Sequence, residues 1–350
     1  PAPRTDPARD RSMTTQPPEN GPGQTWVGGL IRFSILAIVL AVVGWRGREL
    51  WNDGRRLGGD VTWQPEWLVA AAIAYLLGWL PSAWFWKSLL ARSGHPLGWW
   101  PLLRAYYCGH LGKYIPGKAS VLVIRAGLLS SSGVPATTAA WTATWETLLA
   151  MGVGGILGLG LAPWLLTEEI LAALPGPLAP IGRHPLITAG VVATIALAAF
   201  PWLTRLVTRL TRRMTRQDTA DVSVSTRQVL VGSLAMSGGW ICHGLSLWWT
   251  LEGLGASPTP DCPGETLAGM TAAVGLATSL GFAAIFAPGG VGVREGVLIE
   301  GLSRSGIGLQ PAVLGSIVLR ATWLLAELIT SAALYYGHRP APASRRNHHH

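Results

Sequence analysis

Within "FAAIFAPGGVGVREGVLIEGL" (282–302), Arg294 and Glu295 follow a Pro288-Gly289-Gly290 break in otherwise apolar sequence. A second break, Pro116-Gly117, lies among Lys113, Lys118 and Arg125. Glu146, Arg320 and Glu327 sit deep inside long apolar runs. Such residues bind anions and neutralise one another. A broken helix leaves backbone N–H groups free, and helix N-termini favour negative charge. A phosphate head group in hydrocarbon needs such partners, because an uncompensated charge there costs at least ~2.5–3.5 kcal/mol. Arg294 is therefore expected to meet an anionic head group, with Arg125 from the other break and Glu295 as resting counter-ion or as a tie to Arg320. Lys113 and Lys118 either join them or extend to the membrane surface and fix topology.

Glu146 and Arg320 need partners. Either they neutralise each other, or Glu146 pairs with Arg125 and Arg320 with Glu295. The pairing is either static or exchanges partners when a head group arrives. Glu327 lies seven residues beyond Arg320, on the same helical face, and is a candidate proton site or a simple balancing charge.

The elements that position these residues follow from composition. Charged residues make up 13% of the 350, about half the share in soluble proteins, and the mean hydropathy is +0.34. Many of the 18 Trp lie near the ends of apolar runs, as in interfacial belts. The fold class is an all-α polytopic membrane protein. Runs long enough to span occur at about 26–45, 67–90, 136–165, 186–204, 229–252 and 311–336. Two interrupted runs, about 101–130 and 264–305, read as re-entrant helical hairpins. Residues 264–287 are also long enough to form a full span. The hairpin is preferred because it makes the two interrupted runs equivalent.

The interrupted runs resemble each other, and so do their sequels. Each break is followed by Arg, Gly, a short Ser-Gly turn and a long helix carrying a charge. Glu146 lies thirteen residues past Gly133, and Arg320 fourteen past Gly306. This suggests two repeats, about 67–165 and 229–336, in one transmembrane domain over 26–336. The Arg cluster at 205–216 reads as a cytoplasmic anchor. With that anchor inside, the hairpins open to opposite sides, the repeat is inverted and both termini are cytoplasmic. The loop at 46–66 dissents, with four Arg on the presumed outer side. Residues 1–25 are expected to be a disordered tail, and 337–350 a tail ending in a tag-like His run.

"LGKYIPGKASVLVIRAGLL", "GVPATTAAWTATWETL" and "APGGVGVREGVLIEGL" resemble the signature regions of the lysylphosphatidylglycerol synthase transmembrane, or flippase-like, family. The resemblance implies movement of an anionic phospholipid or an isoprenoid-linked lipid between leaflets of a bacterial or archaeal cell membrane. No aminoacyl-transfer domain follows the last span, which implies a translocator without the synthase. Membrane lipids are the expected partners. A separate lipid synthase or glycosyltransferase, and a homo-oligomer, are further partners the resemblance leaves open.

Other functions find little support. The net charge of +9 reflects Arg between apolar runs, so no nucleic-acid partner is expected. Cys108, Cys242 and Cys262, with His110 and His243, form no ligand set, so no metal or other cofactor is expected. No nucleophile triad, Walker loop or paired-carboxylate site stands out, and an enzyme is not expected. The alternatives are a lipid-modifying transferase and a non-transporting partner of a synthase. Gly154 and Gly158 form a small-residue face for helix packing.

Overall fold

Long apolar runs form helices here because lipid offers no partner for an open backbone. The computed structural model describes residues 63–114, 120–165, 184, 187, 190–192, 194–195, 224–256, 262–284 and 292–337. The α-helices, in chain order, are α1 (Pro65–Arg92), α2 (Trp99–His110), α3 (Ser120–Ser130), α4 (Ala136–Gly160), α5 (Thr226–Glu252), α6 (Pro263–Ala283), α7 (Val293–Arg304) and α8 (Leu309–Tyr336). Two 3₁₀ turns, Leu111–Tyr114 and Ala162–Trp164, follow α2 and α4. Pro65 and Pro263 open α1 and α6, where a missing N–H costs nothing. Ser225 and Gln228 close the start of α5 with a reciprocal cap, the Gln228 N–H donating to Ser225 Oγ at 3.3 Å.

Among the described residues, five helices (α1, α4, α5, α6 and α8) are long and apolar enough to cross a membrane. Four coincide with expected spans. The fifth, α6, was expected to be half a hairpin, but its 21 residues make it roughly 30 Å long, which suffices to cross. Its counterpart α2 has only 12 residues and is too short. The expected span at 26–45 lies outside the described residues, as does most of 186–204. So do Pro116, Gly117, Lys118, Pro288, Gly289, Gly290, the 205–216 Arg cluster and the two tails apart from Gly337.

The bundle is apolar on the outside, and its polar and charged side chains are buried within a largely apolar core. Along α1, Val69, Ile73, Leu77, Leu80 and Trp84 point outward and are exposed. Arg125, Glu146, Glu327, Thr142, Ser246, Thr250 and Ser316 are buried inside. That distribution suits lipid rather than water as solvent.

The helix packing has an internal correspondence. If α1–α4 are matched with α5–α8 in order, each contact in one half has a counterpart in the other. The α2–α3 packing matches α6–α7, and α3–α4 matches α7–α8. Across the halves, α4–α6 matches α8–α2, and α1–α8 matches α5–α4. The most extensive packing, α1 on α5, maps onto itself.

That central contact depends on glycine. A Cβ on Gly78 would lie 2.8 Å from the Gly239 carbonyl oxygen, and one on Gly239 would collide with the Gly78 carbonyl. Rigid backbone is the obstacle on both sides, so neither helix can adapt by moving a side chain. Gly154 and Gly158 are used similarly, against Trp240 and Leu276. Gly239→Ala should destabilise the folded protein by about 1–3 kcal/mol. Gly238→Ala, whose Cβ would meet nothing within 4 Å, should not. Thermal unfolding in detergent compares the two directly.

Candidate functional site

The face of α8 that carries Arg320, Trp323 and Glu327 collects residues from four other segments. Positions three, four and seven apart lie on one side of a helix, so these three side chains point the same way. Glu327 is fully buried and accepts hydrogen bonds from Tyr75 Oη of α1 and from Lys113 Nζ of the first 3₁₀ turn. Lys113 also donates to Tyr75 Oη at 3.1 Å and lies 5.1 Å from the ring centre of Tyr114. Tyr75 stacks on Trp323 with centroids 4.3 Å apart. Trp323 is fixed in turn by its indole N–H, which donates to Ser246 Oγ of α5 at 2.9 Å.

From the other break, α7 delivers Arg294 and Glu295. The Arg294 guanidinium lies 4.6 Å from the Trp323 ring centre. Glu295 makes an ion pair with Arg320, while its other oxygen accepts the Gly292 N–H at 2.6 Å. Gly292 has φ +87°, a conformation that turns the chain into α7 without a Cβ clash. The residues next to both breaks therefore meet on one face of α8.

The charges do not balance. Lys113, Arg294 and Arg320 bring three positive charges against the two carboxylates of Glu295 and Glu327. Lys113 is matched with Glu327 and Arg320 with Glu295. Among the described residues, Arg294 has no carboxylate partner and rests on an aromatic face. Glu327 acts on it electrostatically but accepts its hydrogen bonds from Tyr75 and Lys113. Among the described residues the cluster therefore carries one more positive than negative charge.

Arg125 sits in a separate, closed setting. Its Nη1 donates to Glu146 Oε2 at 2.7 Å, and each side chain is 2% exposed. Tyr106 Oη donates to the other Glu146 oxygen at 2.9 Å. The guanidinium lies 4.3 Å from the Tyr106 ring centre and 4.9 Å from that of Trp86. A Cβ on Gly109 would come within 2.5 Å of Arg125 Cγ, so glycine there makes room for the arginine.

The family model described as the lysylphosphatidylglycerol synthase transmembrane region matches residues 28–329. This chain belongs to that family. The synthase-related transmembrane family is a membrane domain of proteins tied to lipid synthesis, which gives this member a membrane-lipid context. No curated protein matches the chain.

One expectation for this family member needs correction, and one alternative is decided. Of the two pairings open for Glu146 and Arg320, the structure has the second: each pairs with the short helix that precedes its own, Glu146 with Arg125 of α3 and Arg320 with Glu295 of α7. The two halves thus carry the same tie with the charges exchanged. Arg125 is also not available to a head group alongside Arg294, because Glu146, Tyr106, Trp86 and Gly109 enclose it. Lys113, Arg294, Glu295, Arg320 and Glu327 do come together.

Tyr75, Tyr114 and Trp323 escaped the sequence reading, which assigned tryptophans to interfacial belts, and His243 entered it only as a rejected metal ligand. Trp63, Trp67, Trp84, Trp99 and Trp100 are exposed as a belt requires, but Trp79, Trp86, Trp145, Trp240 and Trp323 are buried. His243 packs between Tyr75 and Trp79, at 5.4 and 4.8 Å, and His110 packs on the same Trp79. The signal for Trp323 was its position between Arg320 and Glu327 on one face.

Breaking a buried ion pair from one side strands a charge and costs about 3–5 kcal/mol. Glu146→Gln alone should therefore lower thermal stability more than Glu146→Gln with Arg125→Gln. Equal losses from the single and double variants would show that the pair is not the tie described.

Proposed function

We propose that this chain is a lipid translocator that moves an anionic phospholipid or isoprenoid-linked lipid between leaflets. The observation that carries this reading is the positive charge of Arg294, which lacks a carboxylate partner among the described residues where the two broken segments meet. Evolving or retaining such a charge inside an apolar shell is costly unless a passing anion uses it. An arginine suits that task because its planar fork matches two oxygens of a phosphate.

The matched packing of α1–α4 and α5–α8 supports an internal repeat, and the arginine distribution supports an inverted one. In that arrangement α2–α3 and α6–α7 are re-entrant hairpins opening to opposite sides of the cell membrane, and both termini are cytoplasmic. The 12 and 11 residues of α2 and α3 suit a hairpin, being too short to cross singly. For α6 the hairpin reading rests on its equivalence to α2. Opposed hairpins meeting at a central charged cluster would let either leaflet present a head group to the same residues. A cysteine placed after Gly337, in a chain whose Cys108, Cys242 and Cys262 are replaced by serine, tests the topology. It should be labelled only after the membrane is permeabilised, and labelling from outside intact cells would overturn the inverted arrangement.

Transport is tested in liposomes carrying the purified chain and a fluorescent phospholipid whose outer-leaflet copies are chemically bleached. The parent should expose the inner-leaflet pool to bleaching without any added cofactor. Arg294→Ala should reduce that rate at least about tenfold, the equivalent of 1.4 kcal/mol, with folding intact. Arg294→Lys should recover part of the rate, since an ammonium is a point charge without the fork. Parent-like rates in both variants would make Arg294 structural. A new lipid product without exchange would favour a transferase instead.

A further inference from the structure

Resting on the translocator reading, one residue of the cluster has a second role. We propose that the Glu295 carboxylate is the resting occupant of the head-group site. A phosphodiester bearing one negative charge displaces it from Arg320, so that lipid entry unties α7 from α8. Glu295 already holds the kinds of partner a phosphate takes, an arginine and a backbone N–H at a helix start. Arg294, next in the chain, supplies the cation that no carboxylate claims among the described residues. Arg294 lies on Trp323, one turn from Arg320 on the same face of α8, so both arginines border the place where Glu295 sits.

The two ties differ in access. Arg125 and Glu146 are sealed at 2% exposure each, whereas Arg320 and Glu295 retain 28% and 22%. Only the second can exchange partners without first opening the core. The charge count sets the class of ligand. Among the described residues three cations face two carboxylates, and with Glu295 displaced two arginines are left for the incoming group, so the ligand is an anion that Arg294 and Arg320 can share. Once displaced, Glu295 still caps Gly292, so α7 keeps its first turn while its side-chain tie to α8 is lost.

The test is calorimetric titration of the full chain in detergent with dihexanoyl phosphatidylglycerol, with zwitterionic dihexanoyl phosphatidylcholine for comparison. If Glu295 competes with the ligand, Glu295→Gln tightens phosphatidylglycerol binding at least about threefold, since glutamine keeps the cap and loses only the charge. Arg320→Gln should weaken it at least about tenfold. Glu300→Gln, on the same helix but paired with Arg304 at the surface, should change neither. Weakening by both Glu295→Gln and Arg320→Gln would overturn the proposal, because a purely structural tie predicts that result. Equal responses to phosphatidylcholine would overturn the requirement for a net anionic head group. Should Glu295→Gln fail to fold, the unsubstituted chain still gives an answer. Phosphatidylglycerol should speed amide exchange over 293–304, and unchanged or slower exchange would overturn the displacement. Binding is read separately from transport, so opposite shifts in a chain that exchanges no lipid would sink the translocator reading alone.

Discussion

A charge inside an apolar shell must be matched, and most of this structure can be understood as the matching. Outward-facing residues of α1 and α8 are apolar, leaving the interior as the place for polar groups. Within it, Arg125 and Glu146 close on each other under two aromatic rings. Lys113 closes on Glu327, and Arg320 on Glu295. Arg294 remains, without a carboxylate among the described residues, held on Trp323.

The same constraint explains why the short helices stay where they are. Neither α3 nor α7 is long enough to span, and each is tied to the long helix that follows by one buried or half-buried ion pair. The two sets of helices use opposite charges for the same purpose within matching packing. Aromatic residues then do what water does in a soluble protein: Tyr75, Tyr106 and Trp323 surround the ions with hydrogen bonds and ring faces. Glycines at the α1–α5 crossing let the halves approach closely enough to share this interior.

Much of the fold was legible in the sequence, for a physical reason. Lipid demands long apolar helices, so α1, α4, α5 and α8 could be read from hydropathy alone. The ambiguity over α6 was equally physical, because a span and a long half-hairpin have the same composition. Charges in apolar runs marked Lys113, Arg294, Glu295, Arg320 and Glu327 as residues of interest. Their partners were less legible. Whether Glu146 meets Arg320 or Arg125 depends on tertiary packing that spacing does not encode. Buried and interfacial tryptophans are the same letter, so Trp323 and Trp86 could not be told from a belt.

The central claim is that Arg294 is kept uncompensated for an anionic head group. The most direct measurement is an experimental structure of the chain in nanodiscs containing phosphatidylglycerol. The account predicts a phosphate within hydrogen-bonding distance, about 3 Å, of the Arg294 guanidinium. Lipid density confined to the outer apolar faces, with a protein carboxylate filling the place beside Arg294, would contradict it.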